Sequence, residues 1–325
     1  MSLIACESTT NVLPNFPMGW YSLALSSELQ IGDVKSVHAM GRELVLYRTR
    51  SGKVAVADAY CPHLGAHLGV NGHVLGETIQ CPFHGWQFNT DGSCDSIPYC
   101  DKVPRSAALQ SWPACEANGE VYMWYHEEGA DPQWQVPVVT QFTDADWTTP
   151  RRVEFEIPAH VQDIAENSCD PVHFQYVHSQ NETPVSEISI DEDGRTMHLN
   201  AEMEGTQGLG IKHHLHSEIH QPGLATVHQN FGPGAELMLL NTAQPVSKNM
   251  TRMRWTLAVT KPIEDVAGDK AMEGIIAGLS DDAPIWANKV HRRKPVFCSG
   301  DETLMTYRKW VRQFYIEQYP ETSTA

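Results

Sequence analysis

The feature that most constrains this chain is a pair of short loops, Cys61-Pro-His63-Leu-Gly-Ala-His-Leu-Gly and Cys81-Pro-Phe-His84-Gly-Trp, with seventeen residues between His63 and Cys81. Each loop offers one thiolate and one imidazole. Its glycines fit tight turns in which backbone N–H groups approach bound sulfur. Two cysteines and two histidines also suit a tetrahedral zinc ion. The order of the ligands argues against zinc, because zinc modules pair like with like and here each loop supplies one of each. The chain has 8 cysteines in 325 residues, too sparse for a disulfide scaffold. The others, Cys6, Cys94, Cys100, Cys115, Cys169 and Cys298, form no ligand set and read as small buried or surface residues.

Two thiolates on one iron and two imidazoles on the other make the ligand set of a Rieske centre. Through this motif and the tail Cys-Pro-Phe-His-Gly-Trp-Gln-Phe, residues 17–126 resemble Rieske domains. The resemblance implies a [2Fe-2S] cluster on Cys61, His63, Cys81 and His84. Respiratory Rieske proteins carry an extra cysteine in each loop; Ala66 and Phe83 stand there instead. The chain is thus similar to the oxygenase and ferredoxin type, with a cluster potential toward the low end of the Rieske range. His67 and His73 are then surface or supporting residues.

Residues 17–126 read as short β segments (Ser36–His38, Glu43–Tyr47, Val54–Ala57, Ile79–Phe83, Val121–Trp124) punctuated by Gly41, Gly52, Gly72 and Asp91-Gly92. That pattern predicts an antiparallel β domain after an N-terminal segment, 1–16. Residues 127–145 read as a linker and 146–325 as an α+β domain. Its strands are expected near Arg152–Ile157, Ser186–Ile190, Met197–Met203, His213–His220, Ala225–Asn230, Leu237–Leu240 and Met253–Thr260. Helices are expected at Val161–Cys169, Val266–Leu279, after Asp282, and at Asp301–Glu317.

A Rieske ferredoxin would end near residue 126, so the rest needs a task. Glu166-Asn-Ser-Cys-Asp170-Pro-Val-His173-Phe-Gln-Tyr-Val-His178 resembles the D-x2-H-x4-H motif of Rieske oxygenases. In that family two histidines and a remote carboxylate hold a mononuclear iron. Residues five apart diverge by about 140° on a regular helix, so His173 and His178 can share one ion only if the helix breaks. Pro171 supplies the break, with Asp170 as cap and near enough to accept the second ring N–H of His173. The resemblance gives Asp170 a catalytic role, linking the iron histidine to a cluster histidine of a neighbouring subunit. It also implies a head-to-tail homotrimer. The third ligand is expected in Ser280-Asp281-Asp282-Ala-Pro-Ile-Trp286; alignment on Ile285-Trp286 picks Asp282, with Asp281 as fallback. His214, His216 and His220, with Glu218 between them, fall on one face of a predicted strand. A further metal site there is one reading; cavity lining or sheet surface is the plainer one.

The tail Ile285-Trp286-Ala-Asn-Lys289-Val, then Pro295-Val, Gly300-Asp301 and Arg308-Lys-Trp310-Val-Arg-Gln-Phe314-Tyr315, resembles ketosteroid 9α-hydroxylase oxygenases and cholesterol 7-desaturases. This implies a helix-grip-like catalytic domain and a terminal oxygenase that uses O2 to hydroxylate or desaturate a bulky apolar substrate such as a steroid. Electrons would come from NAD(P)H through a separate ferredoxin or reductase, since the chain has no G-x-G-x-x-G fingerprint of its own. Two alternatives stand beside this reading: a Rieske oxygenase or demethylase for aromatic or alkaloid-type substrates, and a Rieske electron carrier that lacks the second iron.

The net charge of −17 makes nucleic acid and anionic membrane surfaces unfavourable partners. Without an apolar run long enough to span a bilayer, and without a signal-peptide pattern, the expectation is a cytoplasmic protein. Arg292, Arg293, Lys294, Arg308, Lys309 and Arg312 would form a local basic patch for an acidic ferredoxin.

Overall fold

A computed structural model describes residues 13–204 and 212–316, so Cys6, Glu317 and most of the segment 1–16 lie outside the described residues. The chain forms two compact units, residues 18–138 and a second unit built from 139 onward with the segment before 18.

The first unit holds three antiparallel sheets. Strands β1 (Gly19–Leu25), β10 (Ala114–Ala117) and β11 (Glu120–Tyr125) form one, in the order β1-β11-β10. Strands β2 (Val34–Ala39), β3 (Arg42–Arg48), β4 (Val54–Asp58) and β9 (Ser111–Trp112) form the second. The third is a meander of β5 (His73–Leu75), β6 (Thr78–Gln80), β7 (Gln87–Phe88) and β8 (Cys94–Ser96). The two metal-type loops are the β4–β5 and β6–β7 connections, and their cysteines belong to the same apolar core as Val45, Tyr47, Leu68 and Phe88. Predicted strand Ile79–Phe83 is shorter than expected: it ends at Gln80, where the second loop begins. β1 is a strand that the sequence pattern did not single out; like β11, it is buried along nearly its whole length.

The second unit is built on a seven-stranded antiparallel sheet. Its strands are β12 (Arg151–Ile157), β13 (Val185–Ile190), β14 (Met197–Glu204), β15 (Lys212–Gln221), β16 (Leu224–Asn230), β17 (Glu236–Ser247) and β18 (Met250–Val259). The order is β12-β18-β17-β16-β15-β14-β13. β13 to β18 is therefore a simple meander, and β12 sits at the far edge from β13. The chain between them must cross the sheet, and it carries α1 (Val161–Ala165), a 3-10 turn (Glu166–Cys169) and α2 (His173–Tyr176). After β18 come α3 (Lys261–Ala267), α4 (Asp269–Ser280), α5 (Ala283–Asn288) and α6 (Glu302–Trp310). Ile164, Met272 and Trp286 pack with Leu237, Leu239 and Trp255 of the sheet, so crossover and C-terminal helices cover the same face.

The helix expected at Val266–Leu279 is two helices. Pro262 fits the first turn of α3, and Gly268, at φ 55°, separates α3 from α4 in a conformation open to glycine.

Candidate metal centres and pocket

The two loops of the first unit are near copies. Cys61 N–H donates to Ala66 O (2.9 Å) and Gly65 N–H to Cys61 O (2.9 Å); Cys81 N–H donates to Trp86 O (2.8 Å) and Gly85 N–H to Cys81 O (3.1 Å). Gly65 and Gly85 close these turns at φ 72° and 73°. Gly72 ends the first loop where a Cβ would lie 2.0 Å from the Leu68 carbonyl oxygen.

The loops converge. The His63 and His84 rings lie 4.6 Å apart, and His63 stacks on Trp86, whose Nε1 donates to Tyr99 Oη. Burial, together with the facing thiol of Cys81, pushes the Cys61 thiol up to about 11, so a pair of thiolates here calls for a cation to stabilise it. His63 Nδ1 is buried without a hydrogen-bond partner. Among the described residues, sets of three donor atoms within 4.8 Å of one another occur at two places, and these loops are neither. A single tetrahedral zinc would require such convergence. Two linked irons, with sulfur at one end and nitrogen at the other, would not. His67 supports its loop, its Nδ1 accepting from Gly69 N–H.

In the second unit, one of those two sets is His173, His178 and Asp282. The break falls at Pro171: Asp170 is extended (φ −109°, ψ 96°), and its Oδ1 accepts from Val172 N–H (3.0 Å) and His173 N–H (3.4 Å), so it holds the turn leading into α2, although the helix starts two residues later than expected, with Val172 and not Asp170 as its N-cap. One expectation is corrected. The ring N–H of His173 goes to the Asp170 backbone carbonyl, because the carboxylate is already committed to the helix start. His178 Nε2 lies 3.2 Å from Asp282 Oδ2. Asp282 is buried and Asp281 exposed, so the structure brings Asp282 to the histidines. Burial, against the pull of Asp282, holds the His173 ring below the usual imidazole range, which favours the neutral form a metal needs.

Sequence reasoning missed Asn167. Its Nδ2 donates to His173 Nε2 (3.1 Å) and Asp282 Oδ2 (3.0 Å), among the atoms that would face an ion.

Beneath the crossover lies a buried charge cluster. His291 Nδ1 meets Asp163 Oδ1 at 3.0 Å, Lys289 approaches Glu166 at 3.7 Å, and Arg308 bonds Glu166 through Nε. Arg308 is thereby withdrawn from the predicted basic patch, while Arg292, Lys294, Lys309 and Arg312 stay exposed.

The His173–His178–Asp282 set opens on a cavity of about 770 Å3, counting the space at its mouth. Its floor is the sheet: Leu199, Ser217, Val227 and Leu239 lie side by side on adjacent strands. Trp255, Trp286, Ile275 and Leu279 add apolar wall. Three uncharged polar side chains interrupt the floor, Ser217, Gln229 and Asn241; Ser217 Oγ and Asn241 Oδ1 are buried without partners among the described residues.

Comparison with known proteins accounts for both units. A family profile for the Rieske [2Fe-2S] domain matches residues 19–113, and one for the 3-ketosteroid 9alpha-hydroxylase C-terminal domain matches residues 123–315. This chain belongs to the 3-ketosteroid 9α-hydroxylase family of Rieske oxygenases.

Members similar to it include a cholesterol 7-desaturase of Caenorhabditis elegans, 32% identical over 340 aligned positions, covering 95% of this chain and 79% of that one. The 3-ketosteroid-9-alpha-monooxygenase oxygenase component of Rhodococcus rhodochrous is 28% identical, covering 94% and 84%. Among solved structures, Pseudomonas putida CBB5 NdmA with caffeine superposes with a TM-score of 0.73 at 20% identity, over 90% of this chain and 89% of that one. Dicamba monooxygenase bound to dicamba gives 0.71 at 19%, over 94% and 98%. At that identity the likeness shows the Rieske oxygenase fold.

As a Rieske oxygenase of the 3-ketosteroid 9α-hydroxylase family, the chain has a [2Fe-2S] domain and a His/Asp candidate site for mononuclear iron, and it draws electrons from a separate donor. Among the described residues, no helix is long and apolar enough to cross a membrane.

Proposed function

We propose that this chain is a terminal oxygenase for a steroid or sterol, with Cys61, His63, Cys81 and His84 holding the cluster and His173, His178 and Asp282 holding one ferrous iron. The observation that carries the reading is the meeting of two imidazoles and one carboxylate in the wall of a largely apolar cavity. That is the donor set of non-haem iron enzymes that leave positions open for oxygen. When bound, the cluster supplies electrons singly and the iron activates O2 for attack on a C–H bond.

The chain's own residues do the rest. Asp170 fixes the His173 tautomer through its carbonyl, leaving Nε2 unprotonated, where it accepts from Asn167 and would face an ion. Leu239, Trp255 and Trp286 give a rigid apolar substrate broad contact and exclude water. Ser217 Oγ can donate to a substrate oxygen, and Asn241 Oδ1 can accept from a substrate hydroxyl. The relatives named for cholesterol and 3-ketosteroids support the substrate class.

The electron donor is a ferredoxin or its reductase. The free cysteines support a reducing compartment such as the cytoplasm, which cell fractionation checks. The assembly is a homotrimer in which Asp170 meets a neighbour's cluster histidine. The exposed apolar rim beside His63 and His84, made by Leu64, Phe83 and Tyr99, supports a protein contact there. Sedimentation at three times the chain mass is expected; a stable monomer would remove this part.

The deciding experiment counts iron and acid-labile sulfide in anaerobically purified protein and in His173→Ala. About three irons and two sulfides per chain are expected, falling by one iron in the variant with cluster absorbance intact. About two irons in both, unchanged by added ferrous iron, would leave an electron carrier. Turnover of 3-ketosteroids and sterols with a surrogate ferredoxin system then tests the substrate class.

A further inference from the structure

The opposite face of the sheet carries a second convergence of donors that the oxygenase reading does not use. In β15, Leu215, Ser217 and Ile219 are buried toward the pocket side, while His214, His216, Glu218 and His220 alternate with them and face away. His198 on β14 pairs directly with Glu218, and His216 stands two residues along on the same face. One donor atom from each of His198, His216 and Glu218 lies within 4.8 Å of the others.

The distances are informative. His198 Nδ1 lies 3.9 Å and His216 Nε2 3.5 Å from the same oxygen, Glu218 Oε1. These are at or beyond the outer limit of a hydrogen bond. They are close to the spacing of two ligands on one ion, since tetrahedral bonds of about 2.1 Å put neighbouring donors about 3.4 Å apart.

The supporting bonds point the same way. The far nitrogen of each ring is held by an acceptor: His198 Nε2 by Asp191 Oδ1 at 2.9 Å, His216 Nδ1 by Asn200 Oδ1 at 2.8 Å. Thr226 Oγ1 donates to the other Glu218 oxygen at 3.3 Å. Each donor therefore has its distal side fixed and its near side turned to a common point, as metal-bound imidazoles and carboxylates do. His220 Nε2, buried and without a hydrogen-bond partner, lies 3.9 Å from Glu218 Oε2, within reach of a fourth position.

We propose that His198, His216 and Glu218 form a second divalent-cation site, of the zinc class, on the outer face of the sheet. Two imidazoles and one carboxylate favour Zn2+ over the oxygen-seeking Mg2+ and Ca2+. The donors are partly exposed, so the ion enters from solvent and water completes its shell. Bound there, it ties the β13–β14 hairpin to β15, and any ion that binds only the folded chain stabilises it.

The test uses untagged, iron-loaded protein, washed with a mild chelator, dialysed against micromolar Zn2+ and analysed for zinc, iron and sulfide. One zinc per chain with iron and sulfide unchanged, and a raised Tm, is the expected result. Zinc should be lost in His216→Ala and in Glu218→Gln, which keeps the size of the side chain and its acceptor for Thr226, while cluster absorbance and iron stay at wild-type levels. It should persist in His173→Ala. Zinc gained only as iron is lost, zinc abolished by His173→Ala, zinc unchanged in both outer-face variants, or no zinc retained would each overturn the proposal.

Discussion

The residues legible in the sequence are those whose chemistry demands a fixed type at a fixed spacing. Cys61, His63, Cys81, His84 and the Asp170–His173–His178 run stood out because few other residues can bind metal and because Pro171 explains how an i, i+5 pair can share an ion. Asn167 and Asn241 did not stand out. An asparagine has no distinguishing pattern, and its importance here comes from where the crossover and β17 place it in space. Asn241 gives a residue-level prediction. Its Oδ1 is buried without a partner in the pocket floor, so a substrate hydroxyl, which can donate to this oxygen, is its natural partner. Replacing Asn241 by Ala should raise KM about tenfold for a hydroxyl-bearing sterol, with kcat much less affected, as about 1–2 kcal/mol of binding is lost. Equal KM values for variant and wild type would take Asn241 out of substrate binding.

At the scale of elements, the decisive feature is the crossover between β12 and β13, because the sheet order forces residues 158–184 across one face. The sequence showed the helix break but not what made it necessary to cross: strand order is long-range information that alternation does not carry. Of the expected strands of the second unit, β12, β13 and β15 alternate in burial, while β17 and β18 carry continuous buried runs. Strands β5 and β7 to β9 were not legible, being only two or three residues long. Pro171 holds Asp170 extended and ends the 3-10 turn before α2 begins. In Pro171→Ala, Asp170 is free to become helical, and the turn can run on into α2, swinging His173 relative to His178. Iron retention after dialysis should fall several-fold while cluster absorbance is unchanged. Full retention would mean that the bonds of Asp170 to Val172 and His173 suffice.

At the scale of the whole chain, the net charge of −17 disfavours polyanions as partners, yet folding also buries several ionisable groups close together at the crossover. His160 is buried there, caps α1 by accepting from Gln162 N–H through Nδ1, and faces Asp163 and His291. Burial, opposed by Asp163 and reinforced by His291, lowers its ring to about 4. The unfolded chain binds a proton at this histidine below about pH 6.5, whereas the folded chain stays neutral to about pH 4. Between those values the unfolded state holds more protons, so stability rises with pH and drains away as pH falls through the window, by on the order of 3 kcal/mol from this group. Asp163 acts lower down. Burial raises its carboxyl, but His291 and Lys289 outweigh that and leave it below the usual range, so its contribution is lost only as pH falls through that depressed value. The two are separable with His160→Asn, which keeps a capping acceptor and removes the titration. Urea midpoints measured from pH 7 to pH 4 should decline steeply for the natural chain and less steeply for the variant, whatever the variant's absolute stability. Parallel curves would show that His160 charges without cost and that the acid sensitivity lies elsewhere.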